Sequence, residues 1–209
     1  MLVSRATKNE SNTRISISMD ALTALHTRNS VNLLTEPAPD SAQLEAIFKA
    51  GLRACDHKNL QPWRFLVIEG EARKPFGELM ASVKQAMEAD PISSELAEKL
   101  RSKPFRAPTI IAVAAKITEH EKVPEIEQVL SAGAAAQLMM TAAHAQGIGA
   151  IWRSGSLMFH PAMLEGLGLD NSHRMVGFLY LGTPKAIKPL SELDPADFVE
   201  KWQVPDSFL

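Results

Sequence analysis

Three clusters of polar and aromatic residues carry side chains that suit small-molecule binding, and each follows a helix-like pattern. They span residues 28–32 (Arg-Asn-Ser-Val-Asn), 53–63 (Arg-Ala-Cys-Asp-His-Lys-Asn-Leu-Gln-Pro-Trp) and 147–155 (Gly-Ile-Gly-Ala-Ile-Trp-Arg-Ser-Gly). The middle cluster is too rich in turn-forming residues to lie inside a helix or a strand. Loops held between rigid elements commonly carry binding groups. We expect the three clusters to form one ligand site.

The arginines of these clusters favour an anionic ligand. Arg28 and Ser30 offer a guanidinium and a hydroxyl two residues apart, and Arg53 and Arg153 are expected to converge on the same anion. Hydrogen bonds from charged donors contribute about 1.5–3 kcal/mol each, so a few of them hold a phosphate tightly. Any one of these arginines alone is more often the solvated end of a helix. Their combination indicates a phosphorylated ligand.

Three roles are open for His57: general acid, metal ligand, or a loop histidine without chemistry. The other histidines are scattered, and Cys55 beside it gives none of the usual metal-ligand spacings. A nucleophilic triad of Cys55, Asp56 and His57 is not expected, because neighbouring residues on a turn seldom point at one another. We therefore predict no metal site and identify no catalytic residue.

The third cluster does not fit a dinucleotide-binding fingerprint. Gly147-Ile-Gly149 lacks the third glycine and the preceding strand that this motif requires. Gly147 is expected to end a helix, and the turn after it would place backbone amides beside a flat ligand covered by Trp152. A core position for Trp152 is an equally open interpretation.

Composition excludes several classes of protein. The chain has 209 residues, a formal net charge of −2 and a pI near 6.3. This charge gives no sign of the basic surface that binds nucleic acid or an anionic membrane. No window approaches the roughly 18 apolar residues of a membrane span. A single cysteine excludes an internal disulfide and suits a reducing cytoplasm, where we expect the protein to act.

Helical and strand patterns surround the three clusters. A capping box of Asp40 and Gln43 begins a helix that delivers Arg53 to the middle cluster. Further patterns predict helices over 19–27, 76–87 and 126–147, strands over 65–68, 109–115 and 175–181, and an irregular tail over 185–209. Because the order is not a strict βαβ alternation, we predict an α+β fold.

The predicted helix over 126–147 has an unusual composition. Its middle is small or apolar on nearly every face, so it is expected to be buried all round. Small side chains also let two helix backbones approach closely. The helix is therefore expected to cross its own copy in a homodimer, with an internal core helix of a monomer as the alternative.

Residues 1–18 are predicted to be separate from a single domain over 19–209. They are rich in Ser, Thr and Asn and carry three basic residues against one acidic residue. That composition is compatible with a transit peptide. The alternation of Ile15, Ile17 and Met19 with polar residues instead favours an arm that packs on a partner subunit. A translation start upstream of Met19 that is not the native one is the third interpretation.

The sequence resembles the nitroreductase family of FMN-dependent enzymes, in its short branch of NAD(P)H-dependent members, from Met19 to about Trp202. The motifs that carry the resemblance are Met19-Asp-Ala-Leu, Arg28-Asn-Ser30, Glu36-Pro-Ala-Pro39, Ala50-Gly-Leu-Arg53-Ala-Cys-Asp-His57-Lys, Gln61-Pro-Trp63, Pro104-Phe-Arg-Ala-Pro108, Ala145-Gln-Gly147, Ile151-Trp-Arg-Ser-Gly155 and Gly177-Phe-Leu-Tyr-Leu-Gly-Thr-Pro184. So many matches in one order make coincidence a poor explanation.

The resemblance implies a fold, a cofactor and a set of site residues. The implied fold is a central, mainly antiparallel sheet flanked by helices, in a homodimer whose FMN sites lie at the subunit interface. The residues implied to contact FMN are Arg28, Asn29, Ser30, Arg53, His57, Trp152, Arg153 and Ser154. Those implied to lie near the NADPH or NADH are Ala142, Ala143, His144, Ala145, Gln146 and Gly147.

The activity implied is ping-pong electron transfer from NAD(P)H through FMN to a nitroaromatic, quinone or related small acceptor. Backbone amides at Ser154 and Gly155 would suit hydrogen bonds to the flavin ring. Asn29 and Asn32 depart from the resemblance, since many members have basic residues there, and a cation near the ring stabilises the reduced flavin. Cys55 stands where proline or a small residue is common. The missing basic residues at positions 29 and 32 leave an alternative open, an FMN-storing or FMN-sensing protein with little turnover.

Overall fold

A computed structural model describes residues 19–186 and 189–205. Its α-helices are α1 Ala21–Thr27, α2 Ser41–Gly51, α3 Arg73–Ala86, α4 Ser94–Ser102, α5 Glu125–Ala145 and α6 Pro161–Gly166. Its strands are β1 Leu34–Thr35, β2 Trp63–Glu69, β3 Thr109–Lys116, β4 Gly149–Arg153 and β5 His173–Pro184. Residues 1–18, predicted to form an arm, lie outside the described part of the chain.

The strands form one antiparallel sheet whose path is β1-β5-β3-β2, with β4 also paired to β5. β5 is long enough to pair with β3 along one edge and with β4 and then β1 along the other. Helices lie against this sheet, so the predicted α+β class with a mainly antiparallel sheet is confirmed.

Side chains alternate across the sheet and build a hydrophobic core on each face. On one face Ile110, Ala112 and Phe178 pack with the buried residues of α3, α4 and α6. On the other face Ile111 and Leu179 pack under α2 and α5. We call these the α3 face and the α5 face. β3 is buried on both, which explains the uninterrupted apolar run in its sequence.

Several local predictions are confirmed. Asp40 accepts a hydrogen bond from the Gln43 amide while the Gln43 side chain accepts one from the Asp40 amide, as a capping box requires. Gly147 has a φ of 75° and directly follows Gln146, the C-cap residue of α5. Glycine reaches this conformation without steric cost, so it ends the helix as predicted.

Three local predictions need correction. Residues 149–153 were expected to be a turn, but they form β4. Pairing with β5 satisfies their backbone hydrogen bonds, and no local sequence signal indicated this pairing. No helix was predicted over Ser94–Ser102, yet α4 forms there and the Ser93 hydroxyl caps it by accepting from the Leu96 amide. The irregular tail over 185–209 contains a 3-10 turn at Pro195–Asp197.

Within a single chain, α5 is buried along one side only. Ile126 and Leu130 in its first turns are 59% and 63% exposed. Ala134, Gln137 and Thr141 continue the same stripe at helical spacing and are partly or fully exposed. The opposite side, at Ala132, Ala135 and Ala136, is fully buried. One protomer therefore covers only part of this apolar helix.

Among residues 19–186 and 189–205, no helix combines the length and the apolar character that crossing a membrane requires. In the same ranges no three His, Cys, Asp or Glu side chains are grouped to hold a metal ion.

Candidate functional site

A cavity of about 440 Å³ opens beside the C-terminal end of β4. Trp152, Arg153 and Ser154, three of the residues implied to bind FMN, line it together with Gly155. The apolar side of the cavity consists of Met80, Met158, Met163, Phe178 and Tyr180, and all five are buried. The cavity is therefore a recess in the α3 face of the sheet, open at the turn that follows β4.

Strand alternation sends Trp152 and Arg153 to opposite faces of the sheet. Trp152 is registered with Leu179 on the α5 face. A Cβ on Gly177 would lie 2.1 Å from the Trp152 Nε1 atom, so the indole occupies space that only glycine leaves free. Arg153 is registered with Phe178 on the α3 face, and its guanidinium lies 5.4 Å from the centre of the Tyr180 ring.

A glycine conformation turns the chain away from β4. Gly155 has a φ of 147°, a region that other residues rarely adopt. It leads into a 3-10 turn at Ser156–Phe159. This turn leaves Ser154 and Gly155 exposed at the mouth of the cavity, and the Gly155 carbonyl accepts from the Met158 amide at 3.1 Å.

Two further cations line the cavity, and the sequence analysis did not predict them. Lys103 and Arg106 bracket a 3-10 turn that precedes β3. Burial lowers the pKa of Lys103, and the charges of Arg106, Lys99 and Arg153 lower it further. Burial also raises the pKa of Tyr180 to about 12, against the opposing effect of the nearby arginines. The cavity is thus positively charged and partly dehydrated.

The first polar cluster lies along the outer edge of β4. The Val31 amide donates to the Ala150 carbonyl at 2.9 Å, which fixes residues 28–32 beside the strand. Thr27 Oγ1 lies 2.9 Å from His144 Nε2, so this cluster also contacts the C-terminal end of α5. Burial and the charge of Arg28 lower the pKa of His144. Ser30 is exposed, and its amide donates to the Asn29 side chain.

The middle polar cluster is pinned to the N-terminal half of α5. His57 Nδ1 lies 2.7 Å from a carboxylate oxygen of Glu127, and Ser131 Oγ donates to the Cys55 carbonyl at 2.7 Å. Lys58, Asn59 and Gln61 all have positive φ, which confirms a turn-rich loop. Arg53 and His57 are exposed and do not line the cavity.

Contacts with α5 separate the first and middle clusters. Glu127, which contacts His57, and His144, which contacts Thr27, are about 25 Å apart along the helix axis at 1.5 Å per residue. A single FMN molecule would not bridge Arg28 and His57 within one protomer. The expectation that all three clusters form one site is therefore not met inside a single chain.

The residues implied to lie near NAD(P)H form the last turn of α5 and its cap. Ala143 is fully buried, and its carbonyl accepts from the amides of Gln146 and Ile148. Its side chain faces the core and not a ligand. A helix C-terminus carries negative partial charge, which disfavours phosphate groups. Arg28 next to His144 supplies the opposite charge, and the nucleotide position stays a prediction.

Two buried arginine donors without a partner suit an anionic ligand. In the described ranges, three buried side-chain polar atoms lack a hydrogen-bond partner: Arg28 Nη1, Arg153 Nε and Thr109 Oγ1. Buried polar groups in proteins are normally paired, and those of a cation are the most costly to leave unpaired. Two of the three belong to arginines implied to contact FMN. A cofactor with a phosphate and several ring acceptors fits this donor set.

Sequence reasoning missed Lys103, Arg106, Tyr180 and Glu127 as site residues. Arg106 lies in a motif that carried the family resemblance, but nothing local indicated that it faces a cavity. Glu127 lies in the first turn of α5, inside the predicted helix over 126–147, but nothing in the sequence marked it as a site residue. No spacing rule connects it to His57, 70 residues away.

Comparisons with known proteins agree with this architecture. The family model described as "Nitroreductase family" matches residues 25–183. An Escherichia coli K12 protein named "Putative NAD(P)H nitroreductase YdjA" is 49% identical over 183 residues, which cover 87% of this chain and 98% of that protein. A Haemophilus influenzae protein with the name "Putative NAD(P)H nitroreductase" is 40% identical over 184 residues, with the same two coverages.

Solved structures share the fold. A nitroreductase-like family protein from Bacillus cereus superposes with a TM-score of 0.75 at 22% identity, covering 89% of this chain and 97% of that one. A Desulfovibrio desulfuricans protein, described as a putative nitroreductase in complex with FMN, gives a TM-score of 0.65 at 26% identity, with coverages of 88% and 97%. On the family match and these identities, the chain belongs to the nitroreductase family.

Proposed function

We propose that this protein is an FMN-dependent NAD(P)H oxidoreductase that reduces nitroaromatic, quinone or related small acceptors. The unpaired buried donors of Arg28 and Arg153 carry the proposal, because both sit where the resemblance puts flavin contacts. The names of the relatives and the FMN complex of a solved structure at 26% identity support it. Bound FMN would supply the redox chemistry, taking a hydride from NAD(P)H and passing electrons to the acceptor.

The chain's own residues would bind and orient this cofactor. Arg28, Asn29 and Ser30 would hold its phosphate end beside the outer edge of β4. Trp152 would cover the ring on one side, and the exposed backbone of Ser154 would offer donors at the turn after β4. Arg153 stays in this set because its Nε atom is buried and unpaired.

We further propose a homodimer whose FMN sites are lined by both subunits. The separation of about 25 Å between the first and middle clusters along α5 supports this arrangement. If two copies of α5 cross antiparallel, the Arg53–His57 loop of one subunit approaches Arg28 of the other. The exposed stripe from Ile126 to Thr141 supplies the apolar, small-residue surface that such a crossing needs.

Glu127 would orient His57 in this shared site. Its carboxylate accepts from Nδ1 when that nitrogen carries the proton, which leaves Nε2 directed away from α5. This contact would therefore fix which edge of the His57 imidazole faces the cofactor bound mainly by the other subunit.

The proposal is tested by the visible spectrum of the purified protein and of Arg28→Gln. The wild type should show flavin bands that bleach on anaerobic addition of NADPH or NADH. Arg28→Gln should lose most of the flavin, because its buried donors have no substitute. Arg101→Gln, which removes an arginine that is paired with Glu78 and does not line the cavity, is the matched control and should keep wild-type flavin content.

Three other outcomes contradict separate parts of the proposal. Flavin bands that persist with both nucleotides would favour a storage or sensing role. Equal flavin content in Arg28→Gln and the wild type would reject the site. In sedimentation experiments, the Leu130→Asp variant should be a monomer that has also lost its FMN. A monomer that still carries FMN would reject the shared site.

A further inference from the structure

The cavity beside β4 holds cations without acidic partners. Lys103, Arg106 and Arg153 line it, and no aspartate or glutamate does. None of the three takes part in the ion pairs found within residues 19–186 and 189–205. Like charges gathered in a partly dehydrated recess repel one another more strongly than they would in water. An anion that entered the cavity would relieve this repulsion.

The two side chains outside the proposed flavin contacts occupy different depths. Arg106 is exposed at the rim, where its planar guanidinium can pair with a carboxylate through two hydrogen bonds. Lys103 is half-buried, and burial together with the neighbouring cations lowers its pKa. A negative charge that enters the cavity therefore stabilises the Lys103 ammonium more than it would stabilise the ammonium of a solvated lysine.

The rest of the lining is largely apolar. It includes Met80, Met158, Met163, Phe178 and Tyr180, and methionine sulfur makes favourable contacts with aromatic rings. A volume of about 440 Å³ is within the range of about 300–1,000 Å³ typical of small-molecule sites. The surface thus suits a molecule with an aromatic body and one acidic end.

We propose that this cavity binds the acidic group of aromatic electron acceptors through Lys103 and Arg106, and so favours aromatic carboxylates over neutral acceptors of the same shape. The identification of the ligand as an acceptor rests on the proposed function. The binding preference itself does not, because it follows from the charges and the apolar side of the cavity.

The test compares 4-nitrobenzoate with 4-nitrobenzamide, its neutral isostere, by calorimetric titration of the protein as purified. The wild type should bind the carboxylate at least about tenfold more tightly, since charge-assisted contacts are stronger than neutral ones. Lys103→Gln/Arg106→Gln should weaken carboxylate binding by about 10- to 100-fold and leave amide binding unchanged. During turnover, the KM for 4-nitrobenzoate should rise by the same factor, and kcat/KM for the amide should not change.

The matched control is Lys74→Gln/Lys116→Gln. It removes the same amount of charge from two exposed lysines that do not line the cavity. This control should bind both compounds as the wild type does, which separates a local effect from the effect of net charge.

Equal affinity of the wild type for the two compounds would overturn the proposal, as would a carboxylate preference that survives in the double variant. Flavin loss from the double variant would also overturn it, by showing that both cations serve the flavin phosphate. If the wild type carries no flavin and does not take up FMN, the proposed function fails. The calorimetric comparison would still decide whether the cavity selects aromatic carboxylates.

Discussion

The two faces of the sheet are packed with different kinds of residue. On the α5 face, the helix presents alanines at 132, 135, 136 and 143, and all four are fully buried. On the α3 face, the helices present larger side chains such as Phe76, Met80 and Met163. The cavity lies on this second face. Met80, Met163 and Phe178 line it.

The largest difference between two matched variants is expected around Trp152 on the α5 face, between alanine substitutions at Gly177 and at Gly133. A new Cβ in Gly177→Ala would lie 2.1 Å from Trp152 Nε1, so the indole must move. We expect a loss of about 2 kcal/mol in the free energy of unfolding, typical of overpacking. Denaturant unfolding at fixed protein concentration measures the loss, and tryptophan fluorescence reports the displaced ring.

Gly133→Ala is the matched control, because it approaches the same indole from α5. Its Cβ would lie 3.8 Å from Trp152 Cη2, an ordinary contact. Alanine also favours a helix interior over glycine by roughly 0.5–1 kcal/mol, so this variant should be as stable as the wild type or more so. Equal losses in both variants would show that the α5 face is not closely packed around Trp152.

A smaller difference in the free energy of unfolding is expected between alanine substitutions of two fully buried methionines, one on each face. Met139→Ala opens a cavity beneath α2 and should cost about 3–4 kcal/mol, since Met139 fills the space against Gly51. Met163→Ala should cost about 2 kcal/mol, because Met163 already borders a cavity and has fewer contacts to lose. Urea unfolding with unchanged m-values checks the order, and a reversed order would contradict the comparison.

The smallest effect concerns charge at the edge of the α5 face. Burial and the charge of Arg28 lower the pKa of His144 below its usual value of 6.5. Its contribution to stability is therefore fully present above pH 6.5 and is lost as the pH falls through the lowered value.

Unfolding of the wild type and of His144→Gln at pH 7.5 and pH 5 tests this effect. Between pH 7.5 and pH 5, the free energy of unfolding of the wild type should fall by roughly 0.5 kcal/mol or less beyond the fall seen in His144→Gln. The effect is small because the ring is partly exposed. The exposed His26 provides the control variant, His26→Gln, which should follow the wild type at both pH values. A wild type that gained stability relative to His144→Gln at pH 5 would reverse the sign and reject the assignment.

Local sequence signals predicted the elements that local physics controls. The capping box of Asp40 and Gln43 and the glycine at 147 act within a few residues, so they are readable without the fold. The strand at 149–153 was missed because its stability comes from pairing with β5, about 30 residues further along the chain. α4 was missed although its cap was visible at Ser93, because a short helix depends on packing more than on propensity.

The sequence by itself determined the family, the α+β class and which residues could bind an anionic cofactor, since these depend on residue types in a fixed order. Only the tertiary structure decided which of them share a surface. It placed Lys103 and Arg106 in one cavity with Arg153, and it set His57 and Arg28 near opposite ends of α5. Such distances depend on how strands and helices pack across long stretches of chain, and no local spacing encodes them.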